Sequence, residues 1–307
     1  MASRVPDQRG RPADPAGAGP GGRAMSEAPD GTRPAGARLP GERIAKRIAR
    51  AGYCSRRDAE KLIQEGRVSI DGRTVESPAL NVTAGQEIRI DGERLKAAEP
   101  ARLFRYHKPA GVVTTAHDPE GRPTVADKLR VRTAEGALPR LMPVGRLDFS
   151  SEGLLLLTND GGLKRLLELP ATGWLRRYRV RVYGNVDRNA LESLAAGIEI
   201  DGIRYGPIKA EEESRTGANA WLKVGLREGK NREVRRVLGH LGLEVSRLIR
   251  TAYGPFQLGK LGRGDVEEVT PKVLKEQLGG LGAGLALPES KSHSHERRLT
   301  RPVAGPA

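Results

Sequence analysis

Chemistry needs a reactive group, and in this chain of 307 residues the one that stands out is Asp148, within PVGRLDFSSEGLLLLTNDG. The acid follows a short apolar run and precedes a Ser-Ser-Glu-Gly turn. The apolar stretch Leu154 to Leu157 then leads into the turn Asn159-Asp160-Gly161. A carboxylate at such a rim, with Arg146 two residues before it, can be held ionised by opposite charge and walled from water, which suits a nucleophile. The same pattern describes an ordinary turn-forming or ion-paired aspartate, and perturbed acids also occur in structural networks. Pattern alone leaves both readings open.

Other chemistries are thinly supplied. Cys54 is the single cysteine, which excludes an internal disulfide framework and a multi-cysteine zinc or iron–sulfur site. It also lies far in sequence from Asp148. No nucleophile elbow occurs, and no Gly-rich loop runs into Lys-Ser or Lys-Thr. The dinucleotide fingerprint is absent too, so the expected cofactor list is empty. The five histidines are dispersed, and His293 and His295 fall in a polar C-terminal stretch, so a metal site has little support. Mean hydropathy is −0.51, and no segment approaches the roughly 18–20 apolar residues of a spanning helix. One cysteine and no secretory signal together predict a cytoplasmic protein.

The elements that must position Asp148 can be read from periodicity. From about Leu103 to Gln277, strand-like runs (LFRYHKPAGVVTT, LMPVGRLDFSSEGLLLLTND, RRYRVRVYG, AWLKVGLREG, VSRLIRTAYG) alternate with the helical patterns GLKRLLEL, DRNALESLAAG and NREVRRVLGHLG. Strands joined by both tight turns and helices predict an α+β fold with a mixed sheet. A smaller module spans 42–95. ERIAKRIARAG places Ile44, Ile48 and Ala51 on one helical face ahead of Gly52, and SRRDAEKLIQEG opens with Ser55 and Asp58 as an acidic capping box. Two short strands with Asp-Gly turns follow. Residues 1–40, with seven Gly and seven Pro, and residues 279–307 are expected to be disordered tails. Met25 is an alternative start.

The formal charge is +15, which points to a polyanionic partner. Between Arg43 and Arg67 stand eight bases and three acids. Arg43, Arg47 and Arg50 fall at i, i+4 and i+7, with Lys46 beside them; Arg56, Arg57 and Lys61 follow around the second helix start, where free backbone N–H groups also favour phosphate. A solvated helix face would normally balance its charges, and this one does not. A phosphate-tracking surface is predicted.

The string RIAKRIARAGYCSRRDAEKLIQEGRVSIDGRTV resembles the small S4-like RNA-binding domain. GRLDFSSEGLLLLTND in turn resembles the catalytic motif of the ribosomal RNA pseudouridine synthases that carry such a domain. HKPAGVVTT, RRYRVRVYG and LREGKNREVRRVLGHLGLEVSRLIRTAYGPFQLGKLGRGDVEEV extend the likeness over roughly 42–275. The resemblance implies a small helix-rich RNA-binding domain (42–95), followed by a pseudouridine synthase catalytic domain (103–277) with a mixed, largely antiparallel sheet.

By the same resemblance Asp148 is the nucleophile, Arg146 supports the flipped-out nucleotide, Tyr178 stacks on the uracil and Arg235 pairs with the acid. Base extrusion is required because the reacting bond is out of reach inside a stacked helix. Tyr178 also reads as the apolar face of a strand with Val180 and Val182, and Arg235 as a phosphate contact beside Arg232 and Arg236. Lys108 matches a family position of undefined role, Pro109 and Gly111 shape its turn, and His107 replaces a common asparagine with little expected consequence. The implied partner is ribosomal RNA or a pre-ribosomal particle, with no membrane, nucleotide cofactor or metal, acted on by a monomer. The likeness is greatest to the enzymes of large-subunit, 23S-type RNA. Small-subunit 16S RNA, transfer RNA and a non-catalytic role in ribosome assembly are the alternatives.

Overall fold

The computed structural model describes residues 41–134, 138–288 and 298–299. The N-terminal part begins with a two-residue strand, β1 (Glu42–Arg43), and two helices, α1 (Ile44–Arg50) and α2 (Arg56–Gln64). Five short strands follow: β2 (Val68–Ile70), β3 (Arg73–Thr74), β4 (Asn81–Val82), β5 (Ile88–Ile90) and β6 (Glu93–Arg94). Ser55 accepts a hydrogen bond from the Asp58 amide, while the Asp58 carboxylate accepts from the Ser55 amide, so the expected capping box starts α2. Asp71-Gly72 and Asp91-Gly92 all have positive φ and close the two-residue hairpins β2–β3 and β5–β6. Ile44, Ile48, Ile63, Val68 and Ile90 fill the core between helices and sheet.

The rest of the chain builds one large sheet, from β7 (Leu103–Lys108) onward. In order come α3 (Val125–Ala134), β8 (Met142–Val144), β9 (Glu152–Thr158), α4 (Gly161–Glu168), β10 (Arg176–Tyr183) and α5 (Arg188–Ser193). Then follow β11 (Ile198–Ile200), β12 (Ile203–Tyr205), β13 (Ile208–Thr216), β14 (Asn219–Leu226), α6 (Glu233–His240) and β15 (Glu244–Tyr253). β16 (Phe256–Gln257), β17 (Val266–Glu268), α7 (Pro271–Leu278) and β18 (Arg298–Leu299) complete the described elements. The sheet runs β13-β14-β10-β15-β9-β7-β17-β18, with β8 on β9 and β16 on β15. Among the described strand pairs of this sheet only β9–β15 is parallel, so the sheet is mixed and largely antiparallel as expected. No helix among the described residues is long and apolar enough to cross a membrane.

β9 explains its own sequence. Leu154 and Leu156 face one hydrophobic cluster, Leu155 and Leu157 the other, so the strand is buried on both sides and reads as a continuous apolar run. Leu156→Ala should lower the unfolding free energy by roughly 2–5 kcal/mol, read from the denaturant midpoint at unchanged m-value. Gly153 at φ +106 is required here, because a Cβ at this position would collide with the Arg250 backbone across the parallel pairing.

Four expectations change. The strand expected across LFRYHKPAGVVTT ends at Lys108, where Pro109 removes a donor and an irregular loop begins. Helices α3 and α7 were not expected. Among its described side chains the first offers Val125 and Leu129 as buried apolar anchors, too few for a clear helical stripe. Arg43 lies in β1 rather than on the α1 face. The C-terminal tail, expected from Gly279, is instead anchored on the core at Leu285 and Leu287, which lie against the second cluster. The Ala101 amide donates to the Ala286 carbonyl at 2.7 Å. The tail expected over residues 1–40 lies outside the described residues.

Candidate active site

Asp148 sits in the connection between β8 and β9, and the backbone there is clamped from below. Leu147 is buried in the core, so its neighbours Arg146 and Asp148 project the other way, into an open cleft of about 920 Å³. The Leu147 amide donates to Thr114 Oγ1 at 3.2 Å, while that hydroxyl donates to the Leu147 carbonyl at 2.7 Å. The Ser151 amide donates to the Asp148 carbonyl at 3.0 Å, and the Gly111 amide to the Phe149 carbonyl at 2.8 Å. Lys108 is fully buried at the end of β7. Its ammonium donates to the carbonyls of Ser151 (2.8 Å), Asp148 (3.1 Å) and Pro109 (3.1 Å).

Four carboxylates line this cleft, and three of them are occupied. Asp118 is bound by Arg122 at 2.8 and 3.0 Å, and that guanidinium lowers its pKa to about 2. Glu168 accepts from the Gly145 amide at 2.6 Å and pairs with Lys164. Glu233 accepts from the Lys230 amide at 2.8 Å, and burial raises its pKa. Asp148 is half-buried, and neither of its carboxylate oxygens accepts a hydrogen bond or forms an ion pair among the described residues. An acid with both oxygens uncommitted, on a fixed backbone, is free to attack.

Buried cations surround it. Burial lowers the Lys108 pKa to about 8, and Asp148 opposes that shift while the like charge of Arg250 adds to it. Arg250 is buried at an inward position of β15. Its Nε donates to the Leu154 carbonyl at 2.7 Å and its Nη1 to the Arg146 carbonyl at 3.4 Å, while Nη2 has no partner. Burial also lowers the Arg235 pKa, with the Arg232 charge adding and Asp148 opposing. Two cations, Lys108 and Arg235, thus sense the carboxylate, with Arg250 beside Lys108, and positive charge so placed favours negative charge that develops on a departing base.

The residues singled out from the sequence fall as follows. Arg146, Asp148 and Tyr178 all line the cleft. Tyr178 lies opposite Val224 and Arg250 on the neighbouring strands and packs against two core clusters, so this cleft-lining ring is also part of the strand's apolar face. Arg235 does not touch Asp148. Its guanidinium donates to the carbonyls of Val245 (2.9 Å) and Ser150 (3.3 Å), holding the turn two residues past the acid. His107 Nδ1 lies 2.7 Å from the Leu261 carbonyl, with Nε2 buried and unpartnered. Sequence reasoning missed Arg250 and the clamp of Lys108. Leu248, Arg250 and Ala252 share one inward register, so a charge in that row was the available signal.

On the helical module, Arg43 and Lys46 are exposed and Arg47 and Arg50 half-buried. Glu42 gathers Lys46 (3.8 Å), Arg47 (3.6 Å) and Arg50. Arg56, Arg57 and Lys61 on α2 are exposed, with no hydrogen-bond or ion-pair partner among the described residues. Among those residues no three His, Cys, Asp or Glu are grouped as metal ligands would be.

Comparison with known proteins bears on the family of the chain. The family model described as RNA pseudouridylate synthase matches residues 102–240, and that of the S4 domain residues 42–88. The chain is 47% identical over 234 residues to an uncharacterized RNA pseudouridine synthase of Rickettsia bellii, covering 76% of this chain and 99% of that one. It is 44% identical over 238 residues to the ribosomal large subunit pseudouridine synthase B of Pasteurella multocida, covering 75% of this chain and 67% of that one. Among solved structures, one described as a pseudouridylate synthase matches with a TM-score of 0.53 at 28% identity, covering 77% of this chain and 99% of that one.

Proposed function

We propose, from the premise that this chain belongs to the RNA pseudouridylate synthase family and is an RNA pseudouridine synthase, that Asp148 is its nucleophile and large-subunit ribosomal RNA its substrate. The isomerisation breaks the bond between ribose C1′ and uracil N1 and forms one from C1′ to C5. The C5 proton is lost and N1 gains one, so no atom or electron enters or leaves. The site needs a carboxylate that can bond covalently to the substrate, walls that hold the detached uracil, and cations for the charge it carries. Asp148, Tyr178 and the buried pair Lys108 and Arg250 fill those roles, with Arg146 at the rim supporting the extruded nucleotide and Arg235 bracing the turn. The observation that carries this reading is the unoccupied carboxylate of Asp148 among acids that are all engaged.

The large-subunit assignment is supported by the likeness to the Pasteurella enzyme. It is tested by mapping pseudouridines in both ribosomal RNAs from a strain lacking this protein, complemented with the intact chain or with Asp148→Ala. One large-subunit position should vanish, return with the intact chain and stay absent with the variant. A site lost from small-subunit RNA instead would reassign the substrate.

The three free bases of α2 are proposed to track substrate phosphates, together with Arg43 and the group anchored by Glu42. Replacing Arg56, Arg57 and Lys61 by Ala should weaken binding to a large-subunit RNA transcript roughly tenfold or more at moderate salt. The slope of log affinity against log salt should flatten by about 0.7–0.9 per lost contact. Unchanged affinity and slope would remove α2 from the interface.

A further inference from the structure

The strands that carry Tyr178 have a second face, turned away from the cleft. Side chains alternate along β10, so Tyr178, Val180 and Val182 point inward while Arg177, Arg179, Arg181 and Tyr183 point out. Cross-strand register extends this outer surface in rows. One row reads Ser214, Trp221, Arg181, Arg247 across β13, β14, β10 and β15; the next reads Glu211, Lys223, Arg179, Ile249. Trp221 is flanked by two guanidiniums, with Arg179 4.2 Å and Arg247 5.9 Å from its ring centre. Tyr183 closes the strand with 55% of its surface exposed.

The fold does not need this charge pattern. Like charges directly opposite each other in a sheet are destabilising, and Arg181 stands opposite Arg247. Glu213 neutralises Arg179 and lies near Lys223, and Glu152 binds Arg247. Arg177 and Arg181 keep exposed guanidiniums with no hydrogen bond or ion pair among the described residues. Guanidiniums interleaved with aromatic rings on an open sheet match RNA, which offers phosphates and stacking faces together. The chain's own terminal segments are poor occupants by charge: residues 1–40 carry six bases and four acids, and residues 289–307 four bases and two acids.

We propose that this outer face of β13, β14, β10 and β15 is a second RNA-contact surface, holding a segment of the substrate RNA other than the one entering the cleft. The two faces lie on opposite sides of one sheet, so a hairpin that fills the cleft cannot reach both, whereas a long folded RNA can wrap the edge.

The test uses the full chain with Arg177→Glu and Arg181→Glu combined, two exposed and unpaired positions. On a full-length large-subunit RNA transcript the double variant should bind about tenfold or more weakly, with the salt slope flattened by about 1.4–1.8, two phosphate contacts' worth. On a hairpin transcript just long enough to fill the cleft, turnover should stay within twofold of the intact chain. Equal affinity and slope on the long transcript would overturn the proposal. So would an equal loss on both RNAs, which would make the face part of the cleft's own path, or loss of binding to polyglutamate alone, which would assign an acidic protein partner. Asp148→Asn, run alongside, should bind the long transcript normally, so failure of the nucleophile assignment shows as retained turnover and is distinguishable.

Discussion

Asp148→Asn should abolish pseudouridine formation, lowering its rate by roughly four orders of magnitude or more, as removal of a covalent nucleophile does elsewhere. The amide keeps the shape of the side chain and loses the ability to bond covalently to the substrate. Because the carboxylate has no hydrogen-bond or ion-pair partner to forfeit, the melting temperature should barely move, as for substitutions away from structural contacts. One electrostatic side effect is expected. Asp148 opposes the downward shift of the Lys108 pKa, so that pKa should fall further in the variant. Asp148→Glu separates two explanations of any loss. It keeps the charge but moves the oxygens about one bond length on a fixed backbone, where such misplacement costs about 100-fold. If Asp148→Glu is fully active, the acid contributes charge rather than a bond; if Asp148→Asn retains turnover, another group attacks.

Much of this site was legible because local rules coincided with tertiary demands. A strand buried on both faces has to be a run such as Leu154 to Leu157, and Ser55 with Asp58 has to cap a helix. What local rules could not supply was the partner of each inward charge. Lys108 continues the inward alternation of Phe104 and Tyr106 only to reach carbonyls 40 and 43 residues away. Arg250 reaches Leu154 across 96 residues through the single parallel pairing of the sheet. The Arg43 misplacement has the same origin, since Arg43 pairs with Asn81 in a ladder that no helical periodicity announces. The inner run of β13 was hidden differently: Ile208 and Ala210 alternate correctly, but the acidic stretch Glu211 to Glu213 masks the period.

The buried ammonium of Lys108 makes the site sensitive to alkali, and the sign can be worked out. Its pKa falls from the usual 10.5 to about 8, chiefly because burial disfavours the charged form. Between about pH 8 and 10.5 the unfolded chain therefore holds a proton that the folded chain has released, so this group by itself makes the unfolding free energy rise with pH across that window. Activity should move the other way. The protonated lysine donates to three carbonyls that fix the Asp148 turn, and the neutral amine has one donor fewer and no charge for the carboxylate. Turnover should accordingly fall above an apparent pKa near 8 while substrate affinity changes little. Lys108→Met removes all three donors, leaves the buried Ser151 carbonyl without its ammonium partner at roughly 1–3 kcal/mol while the Asp148 carbonyl keeps the Ser151 amide, and loosens the turn. Its kcat should drop about 100-fold with KM within a few-fold, and its residual activity should show no alkaline limb near pH 8. A limb that persists in Lys108→Met would assign that proton to another group, and a kcat close to that of the intact chain would mean that Thr114, Gly111 and Arg235 hold the nucleophile without it.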